Sequence, residues 1–371
     1  MSDNKLPLPF PRILLGPGPS SVSPRVLEVM GRAPIGYLDP ELFEGLADLQ
    51  SKLRMVYGTA NSTTLAMTGT GMAGMETCLA NLLEPGDAVV IGVHGFFGGR
   101  MVEIAERLGA KVTRIDAEWG KTIDPEAIRT AASATSDLKL IGVVHAETST
   151  GVRQPLEPIA EIAKEFNALF LVDAVTSLGG IPVEVDKIGI DASYSGTQKC
   201  MGAPPGLSPV TFSDRAMSVF ANRKTKVQSW YFDIGLVNNY WSGDHMYHHT
   251  VPGNLLLAFR ESLSMIGEEG LDARFVRHET VSARLIEGLG ELGVHPFAEE
   301  GYRLPTLNSV IIPDGVDDLS VRKELLTKYG LEIGGGLGPL KGKIWRIGTM
   351  GESASIRNVD LLLAALRKII K

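Results

Sequence analysis

Short apolar runs that do not alternate constrain the fold of this chain more than any other feature. Residues 88–93 (AVVIGV), 111–115, 139–144 (KLIGVV), 169–172 (LFLV) and 208–212 are such runs, and helix-like stretches at 72–83, 100–108, 125–132 and 158–167 alternate with them. A strand that is apolar on both faces must be covered on both faces, so the pattern predicts a mostly parallel sheet wrapped by helices. Glu84-Pro85-Gly86-Asp87, between a helix and a strand, is a stop-and-turn signal. Past residue 252 the texture changes. Helices near 254–268 and 271–292 come almost back to back, and short strands at 308–312, 331–334 and 343–347 enclose a helix at 319–329. A closing helix at 355–370 carries a core stripe of Ile356, Val359, Leu362, Leu363, Leu366, Ile369 and Ile370. The expected architecture is therefore α/β: a large domain over 20–252 and a small α+β domain over 253–371, joined by the N-terminal segment 1–19.

Composition narrows the class. With 371 residues there is room for two domains, and 36 Lys+Arg against 43 Asp+Glu leave a net charge of −7. A mildly acidic chain without a basic run is not expected to bind nucleic acid or an anionic membrane surface. No apolar stretch approaches the roughly 20 residues of a membrane span, and prolines at 7, 9 and 11 break any signal-peptide core. Cys78 and Cys200 could form one disulfide at most, which suits a reducing compartment, and a cytoplasmic location is expected.

Three elements carry chemistry. Thr68-Gly69-Thr70-Gly71-Met72-Ala73-Gly74 follows a strand and opens a helix, matching G-x-G-x-x-G. A dinucleotide site would want an acid at the end of the next strand, where this chain has His94-Gly95. What survives is a helix N-terminus with free N–H groups and the Thr70 hydroxyl, suited to a phosphate. Asp173 ends the 169–172 run, at the edge of a sheet where ligands bind. Lys199, in Ser195-Gly-Thr-Gln198-Lys199-Cys200, has small and apolar neighbours that lower an amine pKa, as a carbonyl-attacking lysine requires. Together, a phosphate-binding helix start, a strand-end Asp and a Lys are the parts that hold pyridoxal phosphate. Phe96 and Phe97, in a Gly-rich loop, offer a stacking face for a flat ring. His245, His248 and His249 lack the spacing of a zinc helix, and no metal is expected. Cys200 reads as a small buried residue and His145 as a satisfied wall residue.

With these motifs in order, from LLGPGPS (14–20) through TGTGMAG, VHAETSTGV, LVDAVTSLGG, SGTQKC and YHHT to GGLGPLKGKIWRIG (335–348), the chain resembles the alanine–glyoxylate/serine–pyruvate aminotransferases. These are class V pyridoxal-phosphate enzymes of fold type I. The resemblance implies that Lys199 is the cofactor-bearing, proton-carrying lysine and that Asp173 pairs with the ring nitrogen. It implies that Thr70, Gly71, the Met72 amide and Gln198 hold the phosphate, with Thr148 near the ring hydroxyl or phosphate. Val175 and Phe97 would cover the two ring faces, and Tyr247 and Thr250 would reach the phosphate of a partner subunit in a homodimer with shared sites. Arg346, with Gly18 nearby, would bind the substrate carboxylate. The implied activity is ping-pong transfer of an amino group from alanine or serine to glyoxylate or pyruvate. Ureidoglycine–glyoxylate and pyridoxamine–pyruvate transamination are the alternatives. Two departures stand out: Phe97 where relatives often have Trp, and Gly36-Tyr-Leu-Asp-Pro-Glu-Leu42 in place of a His-Arg-type segment.

Overall fold

The computed structural model describes residues 10–370; Pro7, Pro9 and the expected membership of residues 1–9 in the small domain lie outside them. Seven strands form the main sheet, in the order Thr63–Thr68, Leu207–Phe212, Ala192–Tyr194, Leu169–Asp173, Leu138–Val144, Ala88–Val93 and Lys111–Asp116. Leu207–Phe212 runs against both neighbours, and the remaining pairings are parallel. Leu140, Ile141, Leu171, Val172, Val89 and Val90 are fully buried, as continuous apolarity requires. Lys111–Asp116 departs from that expectation: it is one of the two edge strands, with its side chains half-buried or exposed. Its polar residues suit an edge that only one neighbour covers.

Helices Gly71–Leu82, Phe96–Arg107, Pro125–Ser133 and Glu157–Glu165 connect the strands. Pro40–Tyr57 starts on Asp39, whose side chain accepts from the Glu41 N–H at 2.9 Å, and stops at Gly58 with φ of 65°. It buries Leu42, Leu46, Leu49 and Leu53 completely, about 2 kcal/mol each by transfer. Much of that face packs on the helix Gly253–Glu269.

A second core gathers Val281, Leu285, Leu289, Trp345, Ile347, Leu362 and Leu366 around a three-stranded antiparallel sheet of Leu307–Ile311, Ile344–Gly348 and Gly334–Gly335. Leu15 belongs to it: Ile13–Leu14 pairs parallel with Leu331–Glu332, and Leu15 exchanges backbone bonds with Glu332 and Gly348. Gly253–Glu269 was expected in the small domain, yet Leu255, Leu256, Phe259, Leu263 and Ile266 are part of the larger core. The two cores therefore part near Gly270 rather than at residue 252. Ile356, expected in the apolar stripe, is 40% exposed because it opens its helix directly after the Ser355 cap.

Candidate active site

The carboxyl ends of the parallel strands open into a cavity lined by Thr70, Gly71, Met72, Phe97, Thr148, Asp173, Val175, Tyr194, Gln198 and Lys199, among others. The sheet explains the convergence. Asp173 and Tyr194 end adjacent strands in register, and Gly71 opens the helix that follows the Thr63–Thr68 strand. At that helix start Thr70 makes no side-chain cap bond, so the first N–H groups and the hydroxyl face the cavity unspent. Gly71 sits close to Val175: a Cβ there would lie 3.1 Å from a Val175 methyl, tight enough that the valine would have to give way.

Asp173 is 2% exposed, and its two oxygens accept from the Val175 N–H and the Tyr194 hydroxyl, each at 2.8 Å. Burial raises its pKa to about 7, against the pull of those two bonds, with the Glu147 charge adding to the rise. A cation beside it would stabilise the carboxylate. Lys199 is held deep in the cavity, where burial and then the Arg346 charge lower its pKa to about 8. Its Nζ donates to the Pro17 carbonyl. Gly18 lies flat against the same amine, with φ of +112° and room for no Cβ: one would come within 2.5 Å of Nζ. Gln198 Oε1 is buried without a partner.

Arg346 projects from the Ile344–Gly348 strand and is 8% exposed. Among the described residues its hydrogen bonds go to carbonyl oxygens only, Gly335 at 2.7 Å from Nε and Thr148 at 3.3 Å from Nη1. Burial lowers its pKa to about 10. Tyr247 and Thr250 do not line this cavity. Tyr247 is 57% exposed, contacts Thr250 Oγ1 at 3.5 Å and packs on Tyr37. His248 stacks on Trp230 with ring centroids 4.1 Å apart, and His249 meets Thr68 Oγ1 at 2.8 Å, so ring and hydroxyl partners occupy these histidines. Cys200 Sγ donates to the Thr176 carbonyl, and burial raises its pKa to about 12, which makes it inert. His145, expected to be satisfied, leaves Nδ1 without a partner.

Two features escaped sequence reasoning. Tyr194 carries no motif, and its bond to Asp173 comes from strand pairing alone. Glu147 is fully buried, and its Oε2 accepts from the Phe97 N–H at 3.0 Å. It thereby caps the helix Phe96–Arg107, which begins at Phe96 rather than near residue 100 as expected. The aromatic pair stands in a helical first turn, not in a loop.

An unspent helix N-terminus, a strand-end carboxylate wanting a cation and a buried amine of lowered pKa on one cavity fit pyridoxal phosphate. With a mostly parallel sheet and a small second unit, they define a pyridoxal-phosphate enzyme of fold type I. The family model for class-V aminotransferases matches residues 37–338, and the chain belongs to that family. It is 46% identical to the alanine–glyoxylate aminotransferase of Nostoc sp., whose crystal structure superposes with a TM-score of 0.96 over 100% of this chain and 97% of that one. It is 40% identical, over 97% of this chain and 90% of the relative, to the (S)-ureidoglycine–glyoxylate transaminase of Bacillus subtilis. Pyridoxamine–pyruvate aminotransferase from Mesorhizobium loti is 27% identical with a TM-score of 0.92, over 98% and 93% of the two chains. The protein is thus a pyridoxal-phosphate-dependent aminotransferase acting on small amino and oxo acids. No helix among the described residues is long and apolar enough to cross a membrane.

Proposed function

We propose that this aminotransferase moves an amino group from alanine or serine to glyoxylate or pyruvate, in two half-reactions at one site. The observation that carries the reading is Arg346, a nearly buried guanidinium bonded, among the described residues, to carbonyl oxygens alone and close enough to Lys199 to depress its pKa. A single cation of this kind matches one carboxylate, which donor and acceptor both have, through two parallel charged bonds. Relatives that act on glyoxylate support the choice of acceptor.

Bound pyridoxal phosphate supplies the electron sink that lets the Cα–H bond of an amino acid break. The Thr70 hydroxyl, the Gly71 and Met72 amides, Gln198 and Thr148 hold its phosphate and ring substituents. Asp173 keeps a proton on the ring nitrogen, and the Tyr194 and Val175 bonds fix the carboxylate for that task. Val175 and Phe97 confine the ring between them. Lys199 would anchor the cofactor through Nζ and, once free, would take the proton from the substrate Cα and deliver it to the cofactor's aldehyde carbon. With its pKa lowered to about 8, Nζ reaches the neutral form needed for that work near neutral pH. Arg346, with the Gly18 backbone leaving Nζ room, sets the substrate's orientation.

The working unit in this reading is a homodimer. Tyr247 and Thr250 are absent from the lining of their own cavity, and Tyr247, Met246 and Trp230 are exposed, an apolar and aromatic surface suited to a second copy whose phosphate the first two would complete. Two free, buried cysteines suit a reducing, cytoplasmic setting. The domain division belongs near Gly270, between the two cores.

A half-reaction screen tests the reading. Cofactor-loaded protein is mixed with one amine at a time, and conversion of the cofactor absorbance to the pyridoxamine form is followed. Alanine or serine should convert it, and glyoxylate or pyruvate should restore it. Conversion by ureidoglycine or by pyridoxamine alone would assign one of the alternative substrate pairs instead.

A further inference from the structure

Glu147 is a fully buried carboxylate to which the mechanism above gives no task, and four donors converge on it. Oε2 accepts from the Phe97 N–H at 3.0 Å and the Gly98 N–H at 3.4 Å. Oε1 accepts from the Ser149 N–H at 3.0 Å and the Ser149 hydroxyl at 2.7 Å, while that hydroxyl oxygen accepts from the Phe96 N–H at 2.9 Å. Gly95 provides the space, since a Cβ at that position would run into the Glu147 side chain. One carboxylate thus ties the start of the Phe96–Arg107 helix to the Ala146–Thr150 turn. Phe97 and Thr148, which flank these ties, both line the cofactor cavity, and the Thr148 carbonyl accepts from Arg346.

We propose that Glu147 is a positioning residue that holds Phe97, Thr148 and, through the Thr148 carbonyl, Arg346 at one fixed spacing around the cofactor. The donor set explains why a carboxylate stands here. Both oxygens face N–H groups, so an amide in its place would satisfy one side and turn its own N–H against a donor on the other. Charge supports the same role. Burial raises the Glu147 pKa and the four bonds oppose the rise, and its negative charge steadies both cations, Lys199 and Arg346. The inference rests on the cofactor chemistry of the family and is independent of which amine is the donor.

The test is Glu147→Gln, with Ser149→Ala as the milder variant. Cofactor Kd is measured by titrating cofactor-free protein, ring orientation by visible circular dichroism of the bound cofactor, and KM for both substrates. Glu147→Gln should raise the cofactor Kd about tenfold, the effect of one charge-assisted bond lost. It should also diminish the visible dichroism and raise KM for donor and acceptor together. Ser149→Ala should shift all three in the same direction, by about two- to threefold. A Glu147→Gln protein of lower Tm but wild-type Kd, dichroism and KM would reduce Glu147 to a support of the fold and overturn the proposal. Should Glu147→Gln fail to fold, Ser149→Ala decides: unchanged values overturn the proposal, and shifted ones sustain it.

Discussion

Removing Arg346 tests the carboxylate clamp, and its magnitude follows from the site. Burial, opposed in part by the Glu147 charge, brings the guanidinium from its ordinary 12.5 to about 10, so holding it charged costs about 3 kcal/mol. An incoming carboxylate recovers that cost and adds two charged hydrogen bonds. Arg346→Ala should therefore lower kcat/KM by about 10²- to 10³-fold, in both half-reactions, because donor and acceptor share the clamp. The Asp173–Tyr194 and Lys199 environments lie on other elements, so cofactor absorbance should persist. Arg346→Lys should recover only part of the loss, since a point charge cannot reproduce the planar fork. The assay is single-turnover conversion with alanine and then glyoxylate, beside ethylamine, which has no carboxylate. Wild type should prefer alanine strongly, and Arg346→Ala should narrow that preference. A variant within tenfold of wild type for alanine, with the preference over ethylamine intact, refutes the clamp.

In cofactor-free protein Asp173 has its pKa raised from 3.8 to about 7. The folded state then holds a proton that the unfolded state has lost, so stability contributed by this group falls as pH rises from about 4 to 7. Melts of Asp173→Asn should therefore gain on wild type across that window, by about 4 kcal/mol at most; a constant difference denies the shift. Gly18→Ala places a methyl within 2.5 Å of Lys199 Nζ at a left-handed φ and should cut borohydride trapping of the cofactor on Lys199 by about tenfold. Trapping at the wild-type rate would show that Gly18 does not set the amine. Mixing Lys199→Ala with a Tyr247→Phe/Thr250→Ala protein, under subunit exchange, should restore roughly a quarter of wild-type activity. No recovery would mean that Tyr247 and Thr250 act within their own chain.

The sheet was legible where burial is symmetric. Leu138–Val144 and Leu169–Asp173 read as strands because both faces meet helices, whereas Lys111–Asp116 read as buried only because periodicity cannot show which strand lies at the edge. Lys199, Asp173 and the Thr70–Met72 turn were visible because each chemistry leaves a local signature. Glu147 was invisible because it acts some fifty residues away, on a helix start that carries no Ser, Thr or Asp cap of its own. The allegiance of Gly253–Glu269 was hidden for a related reason: its apolar face fits either core, and only the docking of Pro40–Tyr57 decides which.

Residues 13–20 have a consequence for the order in which this enzyme can be made. They pair with Leu331–Glu332 and Gly348 on one side, and on the other bond to Gln198 and Lys199 through Ser20 and Pro17. The first of these partners to leave a ribosome must wait until Leu331–Gly348 has been made before its strand can close, and a loop that long is slow to close. The main sheet can form before that, but the backbone that shapes the space around Lys199 is secured only once Gly348 has emerged. Until then the nascent chain exposes an unpaired N-terminal strand and an unfinished second core, surfaces that a chaperone would be expected to shield.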